Sequence, residues 1–463
     1  GQAHQALGHA DQAFSDLNQA IELAPRAIAP RYERGLLHME NGAYDEALAD
    51  VSAALARQPR DPKALLARGR IYLAMEDSRK AKQDFDRALR YDPSLSDGYF
   101  YRGLSALQRE DFNAAKSDLE DAVKRGSSQA QAYAFLGDVY AAQRSDETAL
   151  TNYDMAIKLA PESAIGFLKR GDYYRKLSEW EAALKDYDQA VSKDPQANSE
   201  VFLTRGEIHA QLSHHTEALL DYNKVLRENP NQARPYCLRG LLYKDMGKLD
   251  KATEDFSRAL EIDPNIPEAY FSRGLMYQTL NSPEQAIAEF TAAIERKEDF
   301  ADAYNKRGEV YFEIEQFERA LLDFQSAIKQ EGTHADAYNN MGDLSKKAGE
   351  FENALSYYDQ AIRYNPNQAD ALYNRGFIHA NRGDYDRAIP DMQRSLELKP
   401  DDGLRYGALA KIYARRQEDD LFFRNVELAL QHDYPTLELT HDPAFKSYQE
   451  NPRFIKLVES YQK

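Results

Sequence analysis

The chain of 463 residues has a single cysteine, Cys237, so no intrachain disulfide can form. That suits a reducing compartment, but a periplasmic array without disulfides would read the same, so cytoplasm and periplasm both stay open. Cys237 stands on the inward face of a predicted helix, where a lone small thiol is inert. No run of eighteen apolar residues occurs, which leaves no membrane span in this stretch. Low-complexity tracts and Gly/Ser linkers are missing. Glycines stand singly, so there is no phosphate-cradling loop. Basic residues are outnumbered, 59 Lys and Arg against 76 Asp and Glu, and the net charge of −17 argues against duplex nucleic acid as a partner. Most of that charge is expected on outward helix faces, where it serves solubility. His214 and His215 have no Cys or second His pair close in sequence to complete a zinc set, and His4 and His9 read as surface residues. The acidic pairs Asp401-Asp402 and Asp419-Asp420 sit at predicted helix starts, where they complement the helix dipole. No catalytic, metal or cofactor set remains, and the chain reads as non-enzymatic and without a cofactor.

What the chain does have is a beat. Gly1, Gly35, Gly69, Gly103, Gly137 and Gly171 are 34 residues apart; the next interval, to Gly206, is 35. Gly240, Gly274, Gly308, Gly342 and Gly376 then resume the 34-residue spacing. A fixed period of this size marks an array of units that each bury too little surface alone and must stack on their neighbours. In the unit around Gly240, Tyr243, Ala252, Phe256, Ala259 and Pro264 follow at set offsets. The same set recurs as Tyr72, Ala81, Phe85, Ala88 and Pro93 after Gly69, and as Tyr174, Ala183, Tyr187, Ala190 and Pro195 after Gly171. These spacings predict two short amphipathic helices joined by a tight turn. Gly and Ala mark close backbone approach, the aromatics fill space between hairpins, and Pro ends the second helix.

Gly, Tyr, Ala, an aromatic, Ala and Pro at these offsets resemble the tetratricopeptide repeat family, over nearly the whole chain. The resemblance implies an all-α, right-handed superhelical solenoid of antiparallel helix hairpins. It gives a partial N-terminal repeat at 1–27, eleven repeats over 28–402, and a degenerate repeat with capping helices at 403–463. Ser127, Glu298 and Gly332 replace the closing Pro in three units, which leaves the packing angles open there. The extra residue near Ser199 is expected to lengthen one loop. At the start, Gly1, Gly8, Ala13, Leu17, Ala20 and Pro25 are in register but half a first helix is missing, so the natural chain is expected to extend upstream. Asp442-Pro443 and Asn451-Pro452, with Phe445, Tyr448, Phe454, Ile455 and Leu457, are similar to the closing segment of many bacterial tetratricopeptide arrays. They read as a cover for the last apolar face.

Copies of one unit also allow an internal comparison. Arg34, Arg68, Arg102, Arg170, Arg205, Arg239, Arg273, Arg307 and Arg375 each precede the Gly, and sixteen residues on lie Asp50, Asp84, Asp118, Asp186, Asp221, Asp255, Glu289, Asp323 and Asp391. The two full repeats that lack the Arg, with Leu136 and Met341, also lack the acid, having Asn152 and Tyr357. Charge comes and goes in pairs, which predicts an ion pair between the two helices of each hairpin. Two independently exposed charges are the alternative.

In the family the first helix of each hairpin lines a concave groove, and one helix face carries the residues three before, one after and four after the Gly. The early repeats place Tyr32, Leu36 and Met39, then Leu66, Arg70 and Leu73, then Phe100, Leu104 and Leu107 there. The middle repeats place Asp138, Asp172, Arg175 and Glu207. The late repeats place Asn305, Glu309 and Phe312, then Asn339, Asp343 and Lys346, then Tyr373, Phe377 and Ala380, with Asn340 and Asn374 alongside. An apolar stripe facing solvent would suit a helix or extended peptide, unless tight stacking buries it. The late asparagines suit hydrogen bonding to a peptide backbone. The Lys and Asn set with which some family members clamp chaperone tails is not found. The reading is a protein–protein interaction scaffold that holds a peptide or helix of a protein partner. The alternatives are a structural subunit of a larger, cell-envelope assembly, or the regulatory arm of an enzyme whose catalytic domain lies upstream.

Overall fold

The computed structural model describes residues 10–126 and 129–461. Gly1, His4, Gly8, His9 and Ser127 of the sequence reading lie outside the described residues. The described residues contain helices and no strand, in agreement with the all-α prediction. They form two compact units, one through Glu228 and one from Asn229 on. Within each unit, neighbouring helices pair as antiparallel hairpins. In the first, Ala29–Glu40 packs on Tyr44–Arg57, Pro62–Ala74 on Ser78–Tyr91, and Ser96–Gln108 on Phe112–Lys124. In the second, Ala301–Glu313 packs on Phe317–Gln330, Ala335–Lys347 on Phe351–Tyr364, and Ala369–Asn381 on Tyr385–Leu398.

The glycine beat has a direct steric cause. The side chain sixteen residues on lies flat against the Gly. A Cβ on Gly137 would fall 2.3 Å from the Tyr153 ring, and one on Gly69 would fall 2.4 Å from Phe85. No real Cβ is that close to a ring, so Gly and the aromatic are two halves of one contact. A second, fainter beat closes the turn between the helices. Seven residues after each Gly the backbone enters the left-handed region, at Gly42, Gly247, Gly349 and Gly383 but also at Glu76, Glu110, Arg144, Ser178, Ser213, Asn281 and Glu315. That residue ends the first helix in the left-handed conformation typical of helix C-termini, and most repeats adopt it without glycine.

All nine predicted Arg–acid pairs form. In eight of them Nε and Nη2 of the Arg donate to the two oxygens of the Asp at 2.6–2.8 Å. The Asp is buried in all of these but Asp391, which is half-buried, and the Arg side chain stays 17–25 % exposed, so this is a partly desolvated fork. Its hydrogen bonds hold the Arg102, Arg170 and Arg375 guanidiniums above their usual range. The ninth pair differs. Arg273 Nη2 reaches Glu289 Oε1 at 2.8 Å, but Arg273 Nε and Glu289 Oε2 are buried without partners. One extra methylene turns the carboxylate out of the plane of the fork.

The same guanidinium also reaches backwards, which the sequence comparison missed. Nη1 donates to a residue on the second helix of the preceding hairpin: Asn18 from Arg34, Asp86 from Arg102, Asp154 from Arg170, Ser257 from Arg273, Thr291 from Arg307 and Asp359 from Arg375. Each arginine therefore ties three helices together. Arg205 reaches Asp188 across seventeen residues instead of sixteen, because the extra residue before Ser199 is absorbed in the loop.

In the second unit, Gly403–Arg416 and Asp419–Gln431 pair as a last hairpin, followed by Thr436–His441, a 3-10 turn at Pro443–Tyr448, and Pro452–Glu459. Asp442 and Asn451 accept backbone N–H bonds from Ala444 and Arg453, each with Pro at the first helical position. Phe422 stacks on Tyr448 at 3.9 Å and on Phe454 at 5.9 Å, which closes an aromatic core.

Candidate functional site

The early stripe is largely built into the packing. Tyr32, Leu36 and Met39 lie half-buried on the cluster of Ala47, Val51 and Leu65. Leu66 is buried with Ala81 and Phe85, and Leu73 packs beside them. Phe100 is only 3 % exposed; it meets Tyr101 edge-on at 5.1 Å and Phe135 of the next hairpin at 6.1 Å, with Leu104 and Leu107 alongside. The expectation of solvent-facing side chains is therefore corrected for Leu66 and Phe100. Stacking of successive hairpins covers them, and Arg70 closes over the Tyr101 ring at 4.8 Å. The half-buried remainder does not form one open stripe, since it is shared among three separate clusters.

The acidic middle positions are occupied from within. Tyr153 donates its hydroxyl to Asp138 at 2.9 Å, and Tyr187 donates to Asp172 at 2.6 Å. In the second unit Tyr358 does the same to Asp343 at 2.8 Å. Burial, then the nearby carboxylate, pushes the Tyr153 and Tyr358 hydroxyls far above their usual range. The signal was in the sequence: where the ring packed on the Gly is Tyr, at 153, 187, 222 and 358, the residue after the Gly is Asp138, Asp172, Glu207 or Asp343. Where it is Phe, at 85, 256, 290 and 324, that residue is Arg70, Leu241, Leu275 or Glu309.

The late positions come together as a hydrogen-bonded ladder across three first helices of the second unit. Asn305 donates to Glu309 at 2.8 Å, and Asn340 donates to Asn305 at 2.9 Å and to Glu309 at 3.1 Å. Asn339 and Asn374 donate to Asp343 at 3.2 and 3.0 Å. Lys306 binds Glu309, and Lys346 bridges Asp343 and Asn374, each at 2.8–2.9 Å. Carboxylates accept only, so Glu309 and Asp343 fix which way the amides point. Every NH2 group of the four asparagines is turned into the ladder. One acceptor is left: Asn339 Oδ1 is buried with no donor. Asn305 and Asn339 are themselves buried, Asn340, Asn374 and Tyr373 are half-buried, and Phe377 is exposed beside Tyr373, ring centres 6.2 Å apart.

Two other sequence features find their places. Burial pushes the Cys237 thiol up to about 11, as befits an inert packing residue. His214 has a closer neighbour than its sequence suggests, since His209 Nδ1 lies 3.5 Å from His214 Nδ1. Among the described residues no group of three or more metal-binding side chains forms, and no helix is long and apolar enough to cross a membrane.

Comparison with known proteins matches this architecture. The Tetratricopeptide repeat family matches residues 1–64, 66–111, 100–164, 168–233, 233–266, 277–340 and 339–403. No curated protein matches the chain. Among solved structures, the Cut9–Hcn1 hetero-tetramer of the APC/C is similar at 14 % identity, covering 100 % of this chain and 95 % of that one, with a TM-score of 0.47. Yeast Tom70 is similar at 17 % identity, covering 91 % and 99 %, with a TM-score of 0.43. YrrB, described as a TPR protein with an unusual peptide-binding site, is 26 % identical, covering 40 % and 96 %, with a TM-score of 0.33. On the family match over most of its length, with its hairpins and its period, the chain belongs to the tetratricopeptide repeat family and is a protein-interaction scaffold.

Proposed function

We propose that this scaffold holds an extended segment of a protein partner along the late groove, over Asn305, Asn339, Asn340, Tyr373, Asn374 and Phe377. The observation that carries the reading is the unsatisfied Asn339 oxygen. A buried acceptor without a donor costs about 1–3 kcal/mol, and a main-chain N–H of an extended partner recovers it. The ladder holds the amides in place before the partner arrives, which lowers the ordering cost of binding. Phe377 and Tyr373 offer the apolar contact beside it. The half-buried early residues Tyr32, Leu36, Met39, Leu73, Leu104 and Leu107 are a second, weaker contact line, with Leu66 and Phe100 as its support.

The test is photo-crosslinking in an extract of the source organism, with the crosslinker placed at Phe377 or at the exposed outer residue Leu322. Mass spectrometry then identifies what is captured. The late-groove reading expects one protein captured at Phe377, and Asn339→Leu abolishes that capture while the helical signal is unchanged. Capture at Leu322 that Asn339→Leu does not affect would instead favour the structural-subunit alternative. An enzyme's regulatory arm would be recognised by a catalytic domain encoded upstream in the open reading frame.

A further inference from the structure

The hairpins around Gly137 and Gly171 enclose a cavity of about 520 Å³ within the first unit. The first of these hairpins lacks its internal arginine fork, because Leu136 stands in the place of Arg, while Arg170 of the second still reaches back to Asp154. Ala141, Ala142 and Leu177 give the cavity apolar walls. Two of its acids are already neutralised. Asp138 pairs with Lys169 at 2.7 Å and also accepts from Tyr153, and Asp172 lies 3.7 Å from Arg175 and also accepts from Tyr187.

What is left over consists of donors. The Tyr173 hydroxyl is buried, the residue being only 5 % exposed, and the carboxylate it interacts with, Asp146, is not at full hydrogen-bonding distance and angle. Arg144 and Lys176 stand exposed on the rim and form no ion pair among the described residues. Against them stands one rim acid, Asp146. Burial, and then hydrogen bonding to that carboxylate, push the Tyr173 hydroxyl up to about 12, so it stays protonated at neutral pH.

We propose that this cavity binds a carboxylate carried on a short apolar stem. Tyr173 meets the carboxylate inside, Arg144 and Lys176 meet it at the rim, and the stem lies along Ala141, Ala142 and Leu177. The same chemistry is offered by a glutamate side chain of a polypeptide and by a free short-chain carboxylate. The inference stands apart from the late-groove reading, which concerns other residues in the other unit.

Calorimetry on the whole chain tests it with three probes: glutarate, an N-acetylated and amidated tripeptide with central Glu, and its Gln twin. The expected result is binding of at least one acid, with the Gln twin about tenfold weaker or worse. Tyr173→Phe keeps the ring and the fold, and weakens binding about fivefold. Asp146→Asn removes the one repelling charge and tightens binding. Binding of the peptide alone assigns the site to a protein partner, and equal binding of glutarate assigns it to a small metabolite-like acid. No heat from either acid at about 10 mM, equal binding of the Gln twin, or weaker binding after Asp146→Asn would each overturn the proposal.

Discussion

Around Gly35, Gly69 and Gly103 the groove-side positions of the first helices carry Tyr, Leu, Met and Phe, and those side chains sink between hairpins until Phe100 is as buried as any core residue. Around Gly308, Gly342 and Gly376 many of the same positions carry Asn, Asp and Glu, which bond to one another across hairpins and keep one oxygen unsatisfied. The spacing is identical and the backbone is alike. The difference teaches that a groove position can be used for cohesion or kept for recognition, and that side-chain chemistry decides which. Apolar groups gain by leaving water and so are drawn into the nearest crevice. Polar groups must be satisfied where they stand, and a network that cannot satisfy every atom internally has an opening for another molecule.

The largest expected effect tests the early half of that contrast. Phe100→Ala removes a buried ring and is expected to cost about 3–5 kcal/mol. Long arrays do not unfold in one step, so the loss is best read from amide hydrogen exchange in helix Ser96–Gln108 and its neighbours. Unchanged protection there would mean that Phe100 is not a packing residue. Next comes Asp255→Ala, which strands Arg239 in a partly desolvated site. A loss of about 3 kcal/mol in local exchange stability is expected, and a loss below about 1 kcal/mol would show that the fork is only a surface pair. A smaller effect of opposite sign is expected from Glu289→Asp. Restoring the planar fork to Arg273 should stabilise that hairpin by about 1 kcal/mol, seen as slower exchange in helix Pro283–Arg296; faster exchange would discount the two unpaired atoms. Asn339→Leu sharpens the late half of the comparison. It removes a frustrated oxygen together with two long amide hydrogen bonds, to Asp343 and Asn340, so stability should move by less than about 1 kcal/mol in either direction. A larger loss would make the ladder a structural device.

The mildest effect is one of pH. Burial is the main reason that His209 titrates below the usual histidine value. The unfolded chain therefore binds a proton at His209 before the folded chain does. Its contribution is fully present above about pH 6.5 and is lost as pH falls towards the depressed folded value. Protection of helix Ser199–Gln211 against hydrogen exchange, corrected for the intrinsic pH dependence of amide exchange, should fall between about pH 6.5 and 5, and His209→Gln should flatten that slope. A slope unchanged by the substitution would place the titrating group elsewhere.

Much of the fold was legible because it is repeated. A Gly that cannot tolerate a Cβ beside Tyr153 or Phe85 sets a Phe or Tyr sixteen residues on in all the full units but those with Val51, Leu119 and Met392, and the Arg–acid pairs are visible because they are lost together at Leu136 and Met341. The candidate site was harder to read. Phe100 and Leu107 share one helix face, yet only the fit of Phe135 from the next hairpin decides that Phe100 is buried and Leu107 half-buried. Asp138 and Asp172 looked like a charged groove because their partners, Tyr153 and Tyr187, had been read only as rings. The backward bonds of the arginines escaped notice because the accepting residue varies among Asn, Asp, Ser and Thr. A pattern that asks only for an oxygen at a given place leaves little trace in residue identity.

Those backward bonds bear on how such a chain can change length over evolutionary time. Six of these arginines grip one residue sixteen positions ahead and another sixteen behind, as Arg102 does with Asp118 and Asp86. A duplication or deletion of one whole 34-residue unit carries half of one junction and half of the next. Where the rejoined units carry the arginine and its acceptors, the new junction again places an arginine opposite an oxygen. The array can gain or lose a hairpin in a single genetic event without composing a new interface, while any change that is not a multiple of the unit must be taken up in a loop, as it is before Ser199.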